Sequence, residues 1–272
     1  MKKRHQNILD HLEENGACSY QEFSEQFGVT VMTIRRDADY LAGKGLVIKI
    51  LGGVQKAGAP SYYYESSLQS RVNVNSVDKC RIAESAVELV SPGKTLFLDG
   101  STTSLHLASL LAEQKKGLTI ITNSAVTALE LSKSSENMVV GIGGQIDRDT
   151  ASFLGPSAEE QASKFFVDIA FMSTKGFIPT EGTFESSFGN LRIKQLIVSQ
   201  AAESVLLVDH TKFGCRALCK AVDISDIGIV VTDDTTTQAD LDLLYKQGKE
   251  VRIPSKRLPA RKHKKGEVVD VT

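Results

Sequence analysis

The sequence predicts two unequal parts: a small, mostly helical domain, then a larger α/β domain built on a mainly parallel sheet. Three observations predict it. Residues 1–56 hold amphipathic helical stretches that end in a short apolar hairpin pattern. From Ser76 onward, helices alternate with short Val/Ile/Leu runs, the pattern of parallel strands covered on both faces. Between them, Lys56-Ala57-Gly58-Ala59-Pro60-Ser61 is small and Pro-broken, as a linker is. The boundaries read as 1–56, a linker over 57–75, a second domain over 76–254 and a tail over 255–272. A chain of 272 residues with 41% hydrophobic content has length for about two domains and ample material for their cores. No apolar run approaches the ~20 residues that span a bilayer, so no membrane segment is expected. Met1-Lys2-Lys3-Arg4-His5 lacks the apolar stretch of a signal peptide behind it, and a cytoplasmic location is expected. Four cysteines (Cys18, Cys80, Cys215, Cys219) suggest reduced thiols. Cys215 and Cys219 have no nearby Cys or His pair to complete a zinc site, so neither metal nor cofactor is expected.

The first helix, Lys3 to Glu14, carries Ile8, Leu9 and Leu12 on one face. Ser19 caps a second helix over residues 20–27, where Phe23 and Phe27 stand one turn apart. Gly28 supplies a tight turn and Thr30 a cap for the next helix, which carries the stretch Val29 to Leu41. Val31, Ile34, Ala38 and Leu41 fall on its packed side; Met32, Thr33, Arg35 and Arg36 fall on the other. Gly43 and Gly45 end it. Leu46-Val47-Ile48-Lys49-Ile50-Leu51 followed by Gly52-Gly53 then reads as a hairpin wing. An amphipathic helix with two arginines is usually a solvated surface helix. The ordered set of helix, Gly turn, helix and wing points instead to double-stranded DNA. The expected DNA-contacting residues are Thr30, Met32, Thr33, Arg35, Arg36, Lys44, Lys49, Gly52 and Gly53. Residues 1–56 hold eight Lys/Arg against seven acids, so positive charge works here by placement and not by excess.

The run TIRRD (33–37), the Lys44-Gly45 turn and the wing closed by two glycines resemble the DeoR-type winged helix of bacterial transcriptional regulators. That family usually has Leu where Ala38 stands and Ser where Thr30 stands. Its wing often carries Arg-x-His where this chain has Lys49-Ile50-Leu51.

Within the linker, Tyr62-Tyr63-Tyr64 could stack on bases, but more simply suits a segment docked on its neighbour or on a second subunit. The second domain is expected to run helix 78–90, strand 95–98, helix 103–112, strand 118–121, helix 125–132, strand 138–142, helix 157–164, strand 167–171, helix 191–203, strand 205–208 and strand 227–231. A last strand is expected at 250–253. Ligands of such sheets bind at the carboxyl ends of the strands. There the sequence places Asp99-Gly100-Ser101-Thr102-Thr103, Thr122-Asn123-Ser124, Gly143-Gly144, Ser173-Thr174-Lys175-Gly176 and Asp209-His210-Thr211-Lys212-Phe213-Gly214. Small hydroxyls and glycines at helix N-termini suit an anion, lysines add charge, and Asp and Asn suit hydroxyls. Taken singly, each loop is more often a plain turn and cap; five compatible strand ends match a phosphorylated sugar. The expected effector-binding residues are Asp99, Gly100, Ser101, Thr102, Thr103, Thr122, Asn123, Ser124, Gly143, Gly144, Asp168, Lys175 and Lys212.

The motifs DGSTT (99–103), TNS (122–124), GG (143–144), VDIAFMSTKG (167–176) and VLLVDHTKFG (205–214) resemble the sensor domain of the same DeoR-type regulators. That domain in turn resembles the ribose-5-phosphate isomerase fold. The resemblance spans nearly all of residues 1–235 and implies a transcriptional regulator, most often a repressor of carbohydrate use, that binds a phosphorylated sugar and works as a homodimer or homotetramer. Near the helix lysine the family often places Glu where Asn190 stands here; Glu185 comes earlier. The rival reading is an isomerase-like enzyme carrying a DNA-binding module. It needs a carboxylate base, for which Asp168 and Glu185 are the tempting acids, but the later acid of the isomerase's stretch is missing. A purely architectural DNA binder would not need convergent polar loops. Six Lys/Arg within residues 256–265, interrupted by Pro259, read as a disordered basic tail.

Overall fold

The computed structural model describes residues 3–15, 17–50, 53–56 and 68–254. The expected wing-tip residues Leu51 and Gly52, the tyrosine triplet and the basic tail lie outside them.

The first domain runs α1 (Lys3–Asn15), β1 (Ala17–Ser19), α2 (Tyr20–Phe27), α3 (Val31–Gly43), β2 (Val47–Ile50) and β3 (Gly53–Lys56). Gly28 adopts φ +60, the left-handed turn expected of it, and Thr30 Oγ1 accepts from Thr33 N at 3.3 Å to cap α3. Ile8, Leu12, Phe23, Ile34, Ala38 and Leu41 are fully buried, so α1 backs α2 and α3. The wing gains a strand that sequence patterning does not reveal. β1 is only three residues long and pairs with β3, giving the order β1-β3-β2.

Asp37 is the second departure. It lies on the buried side of α3, where Arg4 Nε donates to one carboxylate oxygen and His5 Nε2 stands 2.9 Å from the other. Burial alone would raise the Asp37 carboxyl. The hydrogen bonds from Arg4 and His5 outweigh it and hold the group below its usual range.

The second domain continues with α4 (Leu68–Val72), α5 (Ser76–Val87), β4 (Thr95–Leu98), α6 (Thr102–Gln114), β5 (Thr119–Thr122), α7 (Ala125–Leu131), β6 (Met138–Gly141), β7 (Gln145–Asp147), β8 (Ser152–Leu154), α8 (Pro156–Ala162), β9 (Val167–Met172), β10 (Gly176–Ile178), β11 (Gly182–Glu185), α9 (Phe188–Val198), β12 (Ala201–Leu207), β13 (Cys219–Asp223), β14 (Ile229–Val231), α10 (Gln238–Lys246) and β15 (Glu250–Arg252). Seven strands form one wholly parallel sheet in the order β15-β14-β12-β9-β4-β5-β6. Along β4, Leu96 and Leu98 enter one core with Leu107, Phe171 and Val205, while Phe97 enters the opposite core with Ile121, Ala170 and Ile193. This alternation places apolar side chains on both faces, as a helix-covered parallel sheet requires.

The antiparallel pieces stand apart: a hairpin of β7 and β8, and the small sheet β10-β11-β13. They were not expected. Helix 191–203 was expected too late and too long. Ser187 Oγ accepts from Asn190 N at 3.3 Å and starts α9 at Phe188, while Ala201 and Glu203 pair in parallel with Val167 and Ile169. Sheet register overrides the helix propensity of Ala-Ala-Glu. Within the expected linker, residues 68–72 are helical, and Leu68 N bonds Asp149 O at 2.7 Å.

Asp37→Ala removes the buried acceptor that Arg4 and His5 share, and is expected to destabilise the first domain by about 2–3 kcal/mol. Hydrogen exchange of the full chain checks this: amides of α1 and α3 should lose protection while those of the parallel sheet keep theirs.

Candidate functional sites

The outer face of α3 presents Met32 at 58% exposure, with Arg35 and Arg36 exposed beside it. Thr33 is half-buried, and the Thr30 hydroxyl is engaged in its cap. The Arg35 guanidinium lies 5.4 Å from the centre of the Tyr20 ring, which steadies it without burying its charge. Lys44, just past α3, is exposed; Lys49 on the wing pairs with Asp39, both about half-exposed. Such a pair is worth under about 1 kcal/mol and yields readily to a phosphate. Gly53 departs from expectation. It is buried, bridged to Ser19 on one side and Ile50 on the other, and serves the wing's sheet rather than its surface.

In the parallel sheet, chain order runs outward from β4 through β5 to β6, then from β9 through β12 and β14 to β15 on the other side. β4 and β9 are therefore the neighbours where the winding reverses, and a crevice opens beyond their carboxyl ends. A cavity of about 260 Å³ lies there. Of the expected effector residues, Asp99, Gly100, Ser101, Thr102, Thr103, Asn123, Lys175 and Lys212 line it. The wing residues Ile48 and Gln55 also border it.

Lys194 of α9 is the centre of its floor. Its Nζ donates to Ser173 O at 2.6 Å and to Glu185, and lies 3.2 Å from Asp99 Oδ2. Burial opposes the ammonium charge, but Glu185 and Asp99 together overcome that and hold Lys194 well above the usual lysine range. Asp99 mirrors it. Burial works against its charge, and Lys194 with donors from Ser101, Ser104 and Ser173 keeps the carboxyl below its ordinary value. Ser104 Oγ donates to Asp99 Oδ1 at 2.6 Å, and Ser173 N to Asp99 Oδ2 at 2.9 Å.

Toward the α5 side the cavity turns cationic. Lys79 donates from Nζ to Arg71 O at 2.8 Å and Val74 O at 2.6 Å, which ties the 71–74 segment to the domain. Burial lowers its pKa to about 8; Asp209 raises it, while Lys212 and Arg71 lower it further. Asn75 holds φ 51 at the head of α5, and its Nδ2 lies 3.5 Å from Asp209 Oδ1. Asp209 was expected at a strand end but not singled out for the effector, and Lys79 and Lys194 were not among the expected site residues. Their signal was positional: Lys79 shares a helix stripe with Ile82 and Ala83, and Lys194 with Leu191 and Ile197.

Other expected residues fall elsewhere. Asp168 begins β9 and so lies at the amino end of the sheet, the wrong end. There it accepts from Lys94 Nζ at 2.9 Å and Thr95 N at 2.7 Å. Gly143 and Gly144 follow β6, two strands beyond the crevice. Gln161 bonds both the N–H and the carbonyl of Gly143, while a Cβ on Gly144 would meet Leu154 O at 2.7 Å. Thr122 Oγ1 accepts from Ser124 N, and Ser124 Oγ caps α7 through Thr127 N, so both hydroxyls serve their own turn. Asp78, His210 and Asp233 bring donor atoms within 4.8 Å of one another. Asp233 already accepts from His210 N and Thr235 N, and His210 Nδ1 lies 3.1 Å from both its oxygens, so this cluster is accounted for as a brace.

Comparison with known proteins matches residues 4–57 to the DeoR-like helix-turn-helix domain and residues 74–234 to the DeoR C-terminal sensor domain. The chain belongs to the DeoR family of transcriptional regulators. Among relatives of this DeoR-family protein, the HTH-type transcriptional regulator YgbI of Escherichia coli is 31% identical, with 90% of this chain and 94% of the relative covered. The glycerol-3-phosphate regulon repressor of Escherichia coli is 29% identical over 85% of this chain and 90% of its own. Ribose 5-phosphate isomerase A of Methanocaldococcus jannaschii is 20% identical with a TM-score of 0.39, covering 51% of this chain and about half, 55%, of the isomerase. No described helix of the DeoR-family chain is long and apolar enough to cross a membrane.

Replacing Lys194 by Met strands two buried carboxylates, and is expected to cost about 3–5 kcal/mol of stability in this regulator. Urea unfolding followed by far-UV circular dichroism checks it. The triple variant Lys194→Met, Asp99→Asn, Glu185→Gln should recover a large part of the loss, because it removes the uncompensated charges together.

Proposed function

We propose that this regulator represses a carbohydrate-utilisation operon and that a phosphorylated sugar in the sensor cavity controls its grip on the operator. The observation that carries the reading is the division of one cavity into two chemistries. One side gathers Lys79, Lys212 and the first turn of α6, which suit an anion; the other gathers hydroxyl and amide groups around the neutralised Lys194. The glycerol-3-phosphate regulon repressor among its relatives supports the same class of effector. A homodimer or homotetramer fits the need of winged helices for two reading heads on one operator.

Binding without turnover is favoured over isomerisation. Asp168 sits at the far end of the sheet, and Glu185 is held against Lys194. Neither is poised to shuttle a proton on a sugar.

Control follows from linkage. An anion that draws the Lys79 ammonium competes with the carbonyls of Arg71 and Val74, in the segment that leads from the DNA-binding domain. The effector then has different affinity for two arrangements of that segment, which is what a switch requires.

Fluorescence anisotropy on DNA from upstream of its own gene, at fixed salt and with a panel of sugar phosphates, tests the whole reading. One sugar phosphate should shift the affinity; conversion of a sugar phosphate without DNA binding would transfer the case to the enzyme. Arg36→Ala should weaken DNA binding by about 5- to 150-fold and leave sugar binding intact, and Lys212→Ala should do the reverse. Loss of both activities in both variants would contradict the two-site assignment.

The pH dependence has a definite sign. Lys79 titrates near pH about 8 in the fold against 10.5 for a free lysine, so its charge is present below 8 and fades above it. Effector affinity measured by calorimetry should therefore fall as pH rises through 8, and Lys79→Met should flatten the profile. The ligand-free fold should gain stability from this residue between pH 8 and 10.5, where the unfolded chain binds the extra proton.

A further inference from the structure

Asn123, in the turn after β5, is 2% exposed and borders the sensor cavity. Its main chain and side chain are both fastened to β8: Phe153 N donates to Asn123 O at 2.7 Å, and Asn123 Nδ2 donates to Phe153 O at 3.3 Å. This fixes which way the amide faces. Turned over, it would set Oδ1 against the Phe153 carbonyl, acceptor against acceptor. In the orientation that the strand enforces, Oδ1 is buried with no hydrogen-bond partner among the described residues.

Two donors at the floor of the same site are already engaged. Lys194 spends its three N–H bonds on Ser173 O, Glu185 and Asp99. The Ser104 hydroxyl is spent on Asp99. A buried acceptor left empty is destabilising, so its retention beside a cavity points to a ligand that brings a donor. A phosphate or carboxylate oxygen does not qualify, since it only accepts. A hydroxyl does.

We propose that Asn123 Oδ1 accepts a hydrogen bond from one hydroxyl of the effector and thereby decides which polyhydroxylated anion the sensor takes. The inference rests on the reading of this cavity as a sugar-phosphate site, and it adds the atom that discriminates among such ligands. With the anion drawn toward Lys79 and Lys212, the hydroxyl read by Asn123 lies on the carbon skeleton away from the phosphate. A site that leaves an acceptor unfilled rejects the analogue lacking that hydroxyl more strongly than an apolar pocket rejects a lost methylene.

The test is calorimetric titration of the full-length protein with glycerol 3-phosphate and with ketose and aldose phosphates, then with singly deoxygenated counterparts of whichever binds. Against the wild type, one deoxy analogue should bind about 10- to 100-fold more weakly than its parent. In Asn123→Leu the parent should weaken and that ratio should collapse to within about twofold, the two losses being one interaction counted from both sides. Asn123→Ser serves the same comparison if the leucine variant does not fold. A ratio that persists in the variant overturns the assignment, leaving water as the partner of Oδ1, while sugar-phosphate binding itself still stands. If no sugar phosphate binds the wild type at all, the reading of the cavity fails and the role of Asn123 with it.

Discussion

The Lys194 ammonium holds the carboxyl ends of the parallel sheet together. It joins α9 to Asp99 after β4, to Glu185 at the end of β11 and to the Ser173 carbonyl after β9, three segments that lie up to 95 positions from it in sequence. Desolvating a lysine and two carboxylates is costly, and the geometry offsets that cost only because every donor on the nitrogen finds an oxygen. The same triplet sets the character of the cavity above it. A lone buried lysine would draw an anion inward; one neutralised by two carboxylates does not, and on the proposed reading the anion is left to Lys79 and Lys212 at the α5 side.

Much of this was legible in the sequence, and the reason is local. Gly28 with its positive φ, the Thr30 and Ser101 caps, and the apolar runs of β4, β5 and β9 are set by residues within a few positions of one another. What was not legible depends on sheet order. Gly143-Gly144 and Asn123-Ser124 look equivalent as strand-end loops, but β6 is two strands from the reversal and β5 only one. Asp168 carried a different error: the expected strand 167–171 already sets it at the amino end, and its place in the family-like motif, not its position, drew it into the site.

A second class of omission has a single cause. Asp37 and Lys79 were given no place on their helices and Lys194 only a place in a motif, although each occupies the apolar stripe of its helix, beside Ile34 and Ala38, Ile82 and Ala83, or Leu191 and Ile197 respectively. Position outranked residue type in all three; Asp37 and Lys194 are paired with opposite charges inside, and Lys79 with main-chain carbonyls. The charges that stayed at the surface behave differently: Lys49 with Asp39 and Lys94 with Asp168 are half-exposed pairs of little energetic weight. That contrast separates the two tasks of the molecule. Buried pairs hold the arrangement, and on the proposed reading loosely paired or exposed cations such as Lys49, Arg35 and Arg36 are left to meet a polyanion.

Lys79 belongs to neither group, which is what suits it to a switch. Among the described residues its hydrogen-bond acceptors are two main-chain carbonyls; burial works most strongly against its charge, Asp209 favours it, and Lys212 and Arg71 oppose it. The cavity therefore borders a cation kept at a disadvantage, its pKa depressed to about 8. A dianion arriving beside it relieves the repulsion between Lys79 and Lys212 as well as forming its own bonds. A neutral sugar filling the same volume relieves nothing. On the proposed reading, the preference for a phosphorylated effector thus arises from the state of the unliganded pocket, and the free energy released is available at the one lysine that also fastens residues 71–74. Differential affinity between two arrangements of that segment needs no longer path than this side chain.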